Sequence, residues 1–402
     1  MRYLLKDFTF FKKYTINAVV FFWMLLTFLT AISEIVRGPA AINNYQIFKN
    51  VFFHTLQQTN LYAAYPAAYF DMNHYGIVFS LLIAPFALLP DWAGCMLWCM
   101  ANAAVLYYAI MRLPVEYNKK IMVLAIALVE MLTSIHSTQF NPMVSAFIIL
   151  PFILVPKEKE WAATFFIAAG ILIKIYGIVA LVSFLFSNNK MKFIGWFIGW
   201  MLLLFCLPMI ISSPSFVVQS YTDWYHSIGE KNSMNESAGI VIAQNISVHG
   251  MVQRIFNLPV LSQLWVLVPA AVLNLLPLLR FKLLSAKLFQ MHYLAVCLIS
   301  VVIFSSSAES PTYIIAVTGV AIWFILCNRK NYWNIALLIF VIGITTLSST
   351  DLFPHYIQRN LIAKFALKAL PCFVVWGVLI WKLLLYNFDV NTATVNKVVK
   401  LV

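Results

Sequence analysis

Between its lysines and arginines this chain runs through apolar stretches too long for water to be the solvent of most of it. NAVVFFWMLLTFLTAI (residues 17–32) and TYIIAVTGVAIWFILC (residues 312–327) carry no charge at all. Several such runs approach or exceed the ~20 apolar residues with which an α-helix crosses about 30 Å of hydrocarbon. In that medium each backbone N–H and C=O must be satisfied within a helix or a closed barrel. Barrel strands would read as alternating segments of about ten residues, and no such alternation occurs. The chain is therefore expected to be all-α, a polytopic transmembrane helical bundle.

Composition agrees: 62% of residues are hydrophobic and 10% charged, where a soluble domain has roughly 45–50% apolar residues. The net charge of +13 is spread in twos and threes between apolar runs and forms no stripe. That pattern orients a membrane protein and excludes a nucleic-acid binder. Cys95, Cys99, Cys206, Cys297, Cys327 and Cys372 all lie inside apolar segments. Thiols without histidine or acid neighbours suit helix packing better than a metal, so no metal is expected. The run 17–32 follows Arg2, Lys6, Lys12 and Lys13 as a signal peptide would. It is longer than a signal core and lacks a small-x-small cleavage site, so it is expected to remain as the first span.

Segmentation predicts about twelve spans: 14–36, 91–111, 121–136, 142–155, 161–174, 175–187, 192–212, 259–280, 288–307, 312–327, 333–348 and 363–386. With the N-terminus cytoplasmic, most of the 27 Lys and Arg fall in cytoplasmic segments, as the positive-inside rule requires. Residues 161–187 read as two half-spans meeting near Lys174, because one continuous helix would turn Lys190 and Lys192 outward. With no repeat and no separable soluble part, residues 1–402 are expected to form a single integral-membrane domain.

Two extracytoplasmic segments, 37–90 and 213–258, are too long for simple connectors, whose median is about 4–6 residues. In the first, Tyr45, Phe48, Phe52 and Leu56 recur at helical spacing opposite Gln46, Asn50 and Gln57, which predicts a helix lying in the interface plane. The run 75–90, broken by Pro85 and closed by Pro90, is expected as a second juxtamembrane helix.

Polar residues are scarce enough to weigh singly. Glu130 and Lys174 lie within apolar runs, where ionisable groups carry a functional presumption. Three readings of Lys174 stand: an ion pair with Glu130, a grip on a ligand phosphate arriving from the bilayer, or snorkelling. SIHSTQFNP (134–142) brings His136, Gln139 and Asn141 to the outer end of a span, where they bind sugar hydroxyls or cap helix ends. Asn245, His249 and Arg254 in AQNISVHGMVQR (243–254) suit a phosphate or an ordinary loop. Glu309, in SSSAESPTY (305–313), stands between two spans on the same side. Asp71, His74 and Tyr75 share YPAAYFDMNHYG (65–76), at the lip of an apolar run; Asp71 alternatively reads as a helix N-cap. No Walker loop, dinucleotide fingerprint, HExxH, GxSxG or CxxC occurs, so nucleotide hydrolysis, dehydrogenation and zinc proteolysis lack support.

The order of these motifs resembles glycosyltransferase family 87, integral-membrane enzymes of the GT-C class. The likeness runs from the first span to about residue 320. Tyr75-Gly76-Ile77, Pro85 to Pro90, Leu97-Trp98 and Asn102 correspond to its first signature. Thr138-Gln139-Phe140-Asn141, Ile173-Lys174-Ile175, and Asn245-Ile246-Ser247 with Gly250 and Arg254 correspond to later ones. The resemblance implies a GT-C bundle in a bacterial inner membrane. It implies transfer of a mannose-like hexose from a polyprenyl-phosphate donor to a lipid- or glycan-linked hydroxyl on the extracytoplasmic face, without a cofactor. The GT-C class usually carries an acid just after the first span; here that stretch reads AINNYQIF, with Asn43 and Asn44. An amide takes no proton, so Asp71 is the expected base, Glu309 the reserve and Glu34 the next. Asn44, His74, Tyr75, Gln139, Asn141, Lys174, Asn245, His249 and Arg254 are expected to bind substrate, with Lys174 and Arg254 meeting the leaving phosphate. The rival readings are a flippase or transporter for a lipid-linked glycan, which would show matching halves, and a polymerase or ligase of lipid-linked glycans.

Overall fold

The structure, a computed structural model, describes residues 7–10, 14–237, 244–327 and 331–388. Among the described residues it is all-α apart from one antiparallel pair of strands. Strand β1 (Asp7–Phe10) pairs antiparallel with β2 (Tyr14–Asn17), so the expected first span begins later than residue 14. Helix α1 (Ala18–Val36) starts where the Asn17 side chain accepts the Val19 N–H at 2.9 Å, one of the free donors at a helix start.

Two shorter helices follow, α2 (Asn43–Gln57) and α3 (Phe79–Ala87). Then come α4 (Asp91–Met111), α5 (Tyr117–His136), α6 (Asn141–Leu154) and α7 (Glu160–Ile173). Pro142 sits in the first turn of α6, where a missing N–H costs no helical bond. A 3-10 helix (Ile175–Phe186) precedes α8 (Lys190–Cys206), α9 (Pro214–Ser237), α10 (Val248–Ile255) and α11 (Leu264–Leu275). The chain closes with α12 (Lys287–Ile303), α13 (Tyr313–Leu326), α14 (Tyr332–Phe340), the single turn α15 (His355–Ile357) and α16 (Ala369–Leu385).

Among the described residues, Ala18–Val36, Asp91–Met111, Lys190–Ile210 and Tyr332–Ser349 are long and apolar enough to cross a membrane, and the other apolar helices are shorter. Helix α13 is the centre of the bundle. It packs against α5 and α12, and every residue from Tyr313 to Ile325 is buried, as befits a helix apolar on all sides. Gly319 permits the α12 contact, since a Cβ there would come within 2.9 Å of Ala295 O.

The break at Lys174 is real. Lys174 is extended (φ −147°, ψ 102°) between α7 and the 3-10 helix. In a continuous helix, residues seven apart lie ~10 Å from one another. Here a Cβ on Gly177 would meet Gly170 Cα at 2.6 Å, so the chain folds back on itself with Lys174 at the bend.

At one end of the bundle the α5–α6 turn, the Lys174 bend and the α12–α13 connection come together beneath α2, α9 and the loop before α3. Helix α2 occupies the stretch expected to be helical, with an altered face: Tyr45, Ile47, Phe48, Val51 and Phe52 are buried, while Leu56 is exposed. Ring contacts Phe48–Tyr75, Phe48–Phe79 and Phe48–Trp98, at 5.0, 5.1 and 5.8 Å, tie it to the loop, α3 and α4. Helix α3 is shorter than the run 75–90, and Asp71 lies well before it, so the N-cap reading of Asp71 falls.

Candidate active site

Asp71 is held by a clamp one residue earlier. Asn43, on the first turn of α2, donates its amide N–H to Phe70 O at 2.8 Å and accepts the Phe70 N–H at 2.7 Å. The next residue, Asp71, takes a left-handed conformation (φ 71°), one that a short polar side chain tolerates. Its Oδ1 accepts the Met72 N–H at 2.8 Å. Among the described residues no other hydrogen bond reaches this exposed carboxylate.

Asn73 then folds the chain over itself, exchanging hydrogen bonds of 3.0 Å with both backbone groups of Tyr75. Gly76 donates to Ile173 O at 3.0 Å, and any Cβ there would sit 2.0 Å from Leu172 O. That close approach requires glycine, and it sets His74 and Tyr75 beside Lys174.

Lys174 donates to Asn141 Oδ1 at 2.7 Å, and Asn141 in turn donates to Pro311 O at 3.1 Å. The ammonium lies over the rings of Tyr176 and Tyr75, 4.9 and 5.4 Å from their centroids. An ammonium has more than one N–H to give, and aromatic faces stabilise the charge while leaving those donors available to an anion. The Tyr75 hydroxyl reaches Gln139 Oε1 at 3.2 Å, and Tyr176 shares a 2.8 Å hydrogen bond with Ser305. Asn44 donates to Ser137 O at 2.8 Å.

Helix α9 roofs this end. Its Trp224 donates to His74 O at 2.9 Å, Ser227 lies 3.2 Å from His74 Nδ1, and Asn232 accepts from Ser306 at 2.6 Å. Lys231, one turn on from Ser227, faces Glu309 at 3.9 Å. Beneath the roof is a cavity of about 260 Å³. Its walls include Asn44, Asp71, His74, Tyr75, Gln139, Lys174, Glu309 and Lys231. Burial above all, then Lys231 and Lys174, push the His74 imidazole down to about 4, against the opposing pull of Asp71. His74 is therefore neutral at pH 7 and offers hydrogen bonds without charge.

Seven of the residues singled out in the sequence thus share one cavity: Asn44, Asp71, His74, Tyr75, Gln139, Lys174 and Glu309. Asn141 stands directly behind it through Lys174. Asn245, His249 and Arg254 are not brought there. Asn245 reaches Asn235 O at 3.2 Å and His249 at 3.1 Å, and His249 Nε2 contacts Leu261 O at 2.6 Å. Arg254 donates to Gln244 O and Ala363 O at 2.8 and 3.1 Å. Their segment instead supports the turn that carries Glu309: Ile246 N donates to Ala308 O at 2.7 Å, and Tyr313 Oη to Ile246 O at 2.8 Å.

Two other acids are already engaged. Glu130 pairs with Lys368 at 2.9 Å, which removes it as the partner of Lys174. Glu34 is buried against Arg37 at 2.8 Å and His136 at 2.7 Å, so neither it nor His136 reaches the cavity. Sequence reasoning missed Lys231, Trp224, Asn232 and Ser305–Ser307. The one signal for Lys231 was its place among the few cations of residues 213–258.

In chemical terms, the cavity brings together an ammonium on aromatic faces, a carboxylate with no ion-pair partner among the described residues, the Lys231–Glu309 pair and neutral hydrogen-bonding groups. No curated protein matches the sequence. The family model for glycosyltransferase family 87 matches residues 73–307, more than half of the chain. Asp71 and Glu309 lie two residues before and two residues after the matched stretch, whereas His74, Tyr75, Gln139, Asn141 and Lys174 lie within it. With apolar helices gathered beneath this cavity, the chain belongs to glycosyltransferase family 87 and is a membrane glycosyltransferase.

Proposed function

We propose that the protein transfers a hexose, mannose-like, from a polyprenyl-phosphate carrier to a lipid- or glycan-linked hydroxyl on the extracytoplasmic side of a bacterial inner membrane. The bundle would cross that membrane about twelve times. One observation carries the reading: Asp71, His74 and Lys174 line the same cavity, with Lys174 at the bend of a folded-back helix pair.

The acceptor O–H gives its proton to the Asp71 carboxylate as its oxygen bonds to the anomeric carbon. The bond from that carbon to the phosphate oxygen breaks, and the electron pair leaves with the phosphate. The Lys174 ammonium donates to the oxygen on which this charge develops, which lowers the barrier where charge is greatest. Neutral His74 and Gln139 orient hydroxyls. Glu309 is the second carboxylate in reach, but it already faces Lys231.

Membranes containing the protein, incubated with radiolabelled polyprenyl-phosphate hexoses and lipid acceptors, test the reading. Asp71→Asn is expected to lower transfer by about 100-fold or more, the usual scale for a general base, with donor retention unchanged. Undiminished transfer in that variant, together with loss in Glu309→Gln, would move the base to Glu309.

A further inference from the structure

We infer that the acceptor occupies a second cavity, on the far side of Asp71 from the donor, and that its reacting end is an uncharged sugar. This rests on the transferase reading above. Beside the main cavity lies a smaller one of about 110 Å³, walled by Tyr62, Ser227, Glu230, Asn235 and Gln244. The two have Asp71, Met72, His74 and Lys231 in common. His74, on the shared wall, contacts Ser227 of the smaller cavity at 3.2 Å. Lys174, Tyr176, Gln139 and Glu309 belong to the larger cavity and not to the smaller.

A base must reach the acceptor hydroxyl while that oxygen faces the anomeric carbon of the donor. Only groups on the shared wall meet both substrates, and the shared carboxylate is Asp71. The donor phosphate belongs with Lys174, so the acceptor belongs on the other side. One water needs ~10–15 Å³ of such space, so the smaller cavity has room for a single sugar ring.

Its lining names the ligand class. The Asp71 and Glu230 carboxylates accept from hydroxyls, the Asn235 and Gln244 amides donate and accept, and Met72 and Met234 offer thioether surface to a C–H face. The cation on this wall, Lys231, already faces Glu309. A phosphorylated or carboxylated acceptor would meet two carboxylates there, and a neutral sugar meets only hydrogen-bonding groups.

Solubilised protein, a radiolabelled polyprenyl-phosphate hexose as donor, and octyl hexosides with their 6-phosphates as acceptor probes test this. Wild type is expected to glycosylate a neutral octyl hexoside and not its 6-phosphate. Gln244→Trp is expected to keep donor retention while transfer falls about tenfold or more. Glu230→Gln, at an exposed position, is expected to raise the KM for the octyl hexoside several-fold without moving the KM for the donor. Unchanged transfer in both variants, a preference for the 6-phosphates, or a matching rise in the donor KM would overturn the assignment. Wild-type protein that retains no polyprenyl-phosphate hexose would instead overturn the functional reading beneath it.

Discussion

The Asn43 side chain holds both backbone polar groups of a single residue, Phe70 N and Phe70 O, and so presents Asp71 in its left-handed conformation. Only an amide both donates and accepts in that position. A carboxylate would set an acceptor against Phe70 O and break that half of the clamp. Asn43→Asp is therefore expected to reduce transfer and to speed amide hydrogen exchange across residues 70–72. A gain in transfer would show instead that an acid at this position is itself the base. His74 belongs to the same scale. Its fold holds it at about 4 against an ordinary 6.5, so between those values the unfolded chain binds a proton that the native one does not. By linkage its contribution to stability is complete above pH 6.5 and is lost as pH falls toward 4. Thermal unfolding at pH 7 and at pH 4.5 should show a smaller acid-induced drop for His74→Gln than for wild type.

Between elements, the decisive feature is the contact of Gly170 with Gly177, which lets α7 and the 3-10 helix fold back with Lys174 at the bend. A Cβ on Gly177 would sit 2.4 Å from Gly170 C, against rigid backbone, whereas one on Gly195 of α8 would meet nothing within 4 Å. Overpacking of this kind costs about 1–3 kcal/mol. Gly177→Ala should lower the melting temperature in detergent and weaken donor retention, with Gly195→Ala as the silent control. The break at Lys174 was legible in the sequence through charge, because an uninterrupted helix was expected to turn Lys190 and Lys192 outward. The closeness of the halves was not, since glycine leaves no periodic signature of its own. Helix α9 is the converse case. Its few apolar residues give no stripe, and Trp224, Ser227 and Lys231 gain their meaning only from the loop and turn they cover.

Across the whole molecule, one buried ion pair ties the site to the bundle. Lys368, ahead of α16, pairs with Glu130 of α5 and donates to Ser310 and Ser349 at 2.8 and 2.7 Å. Ser310 follows Glu309 directly, so the pair anchors the turn on which that carboxylate stands. Removing one partner of a buried pair leaves an uncompensated charge and costs about 3–5 kcal/mol, whereas replacing both by apolar residues is often near neutral. Glu130→Gln should unfold at a markedly lower temperature, and Glu130→Met combined with Lys368→Met should recover most of the loss.

Apolar run length, the placement of lysine and arginine, and the rarity of polar residues were enough to read an all-α membrane protein and to pick out Asp71, His74, Lys174 and Glu309. The reason is that hydrocarbon penalises every unpaired polar group, so each exception stands out in the linear chain. Partnership was decided only in three dimensions. Glu130 went to Lys368 and Lys174 to Asn141, while Arg254 went to backbone carbonyls and Lys231 to the cavity. Charge and hydropathy act along the sequence, but a hydrogen bond needs its partner within about 3 Å, and that distance exists only once the helices have packed.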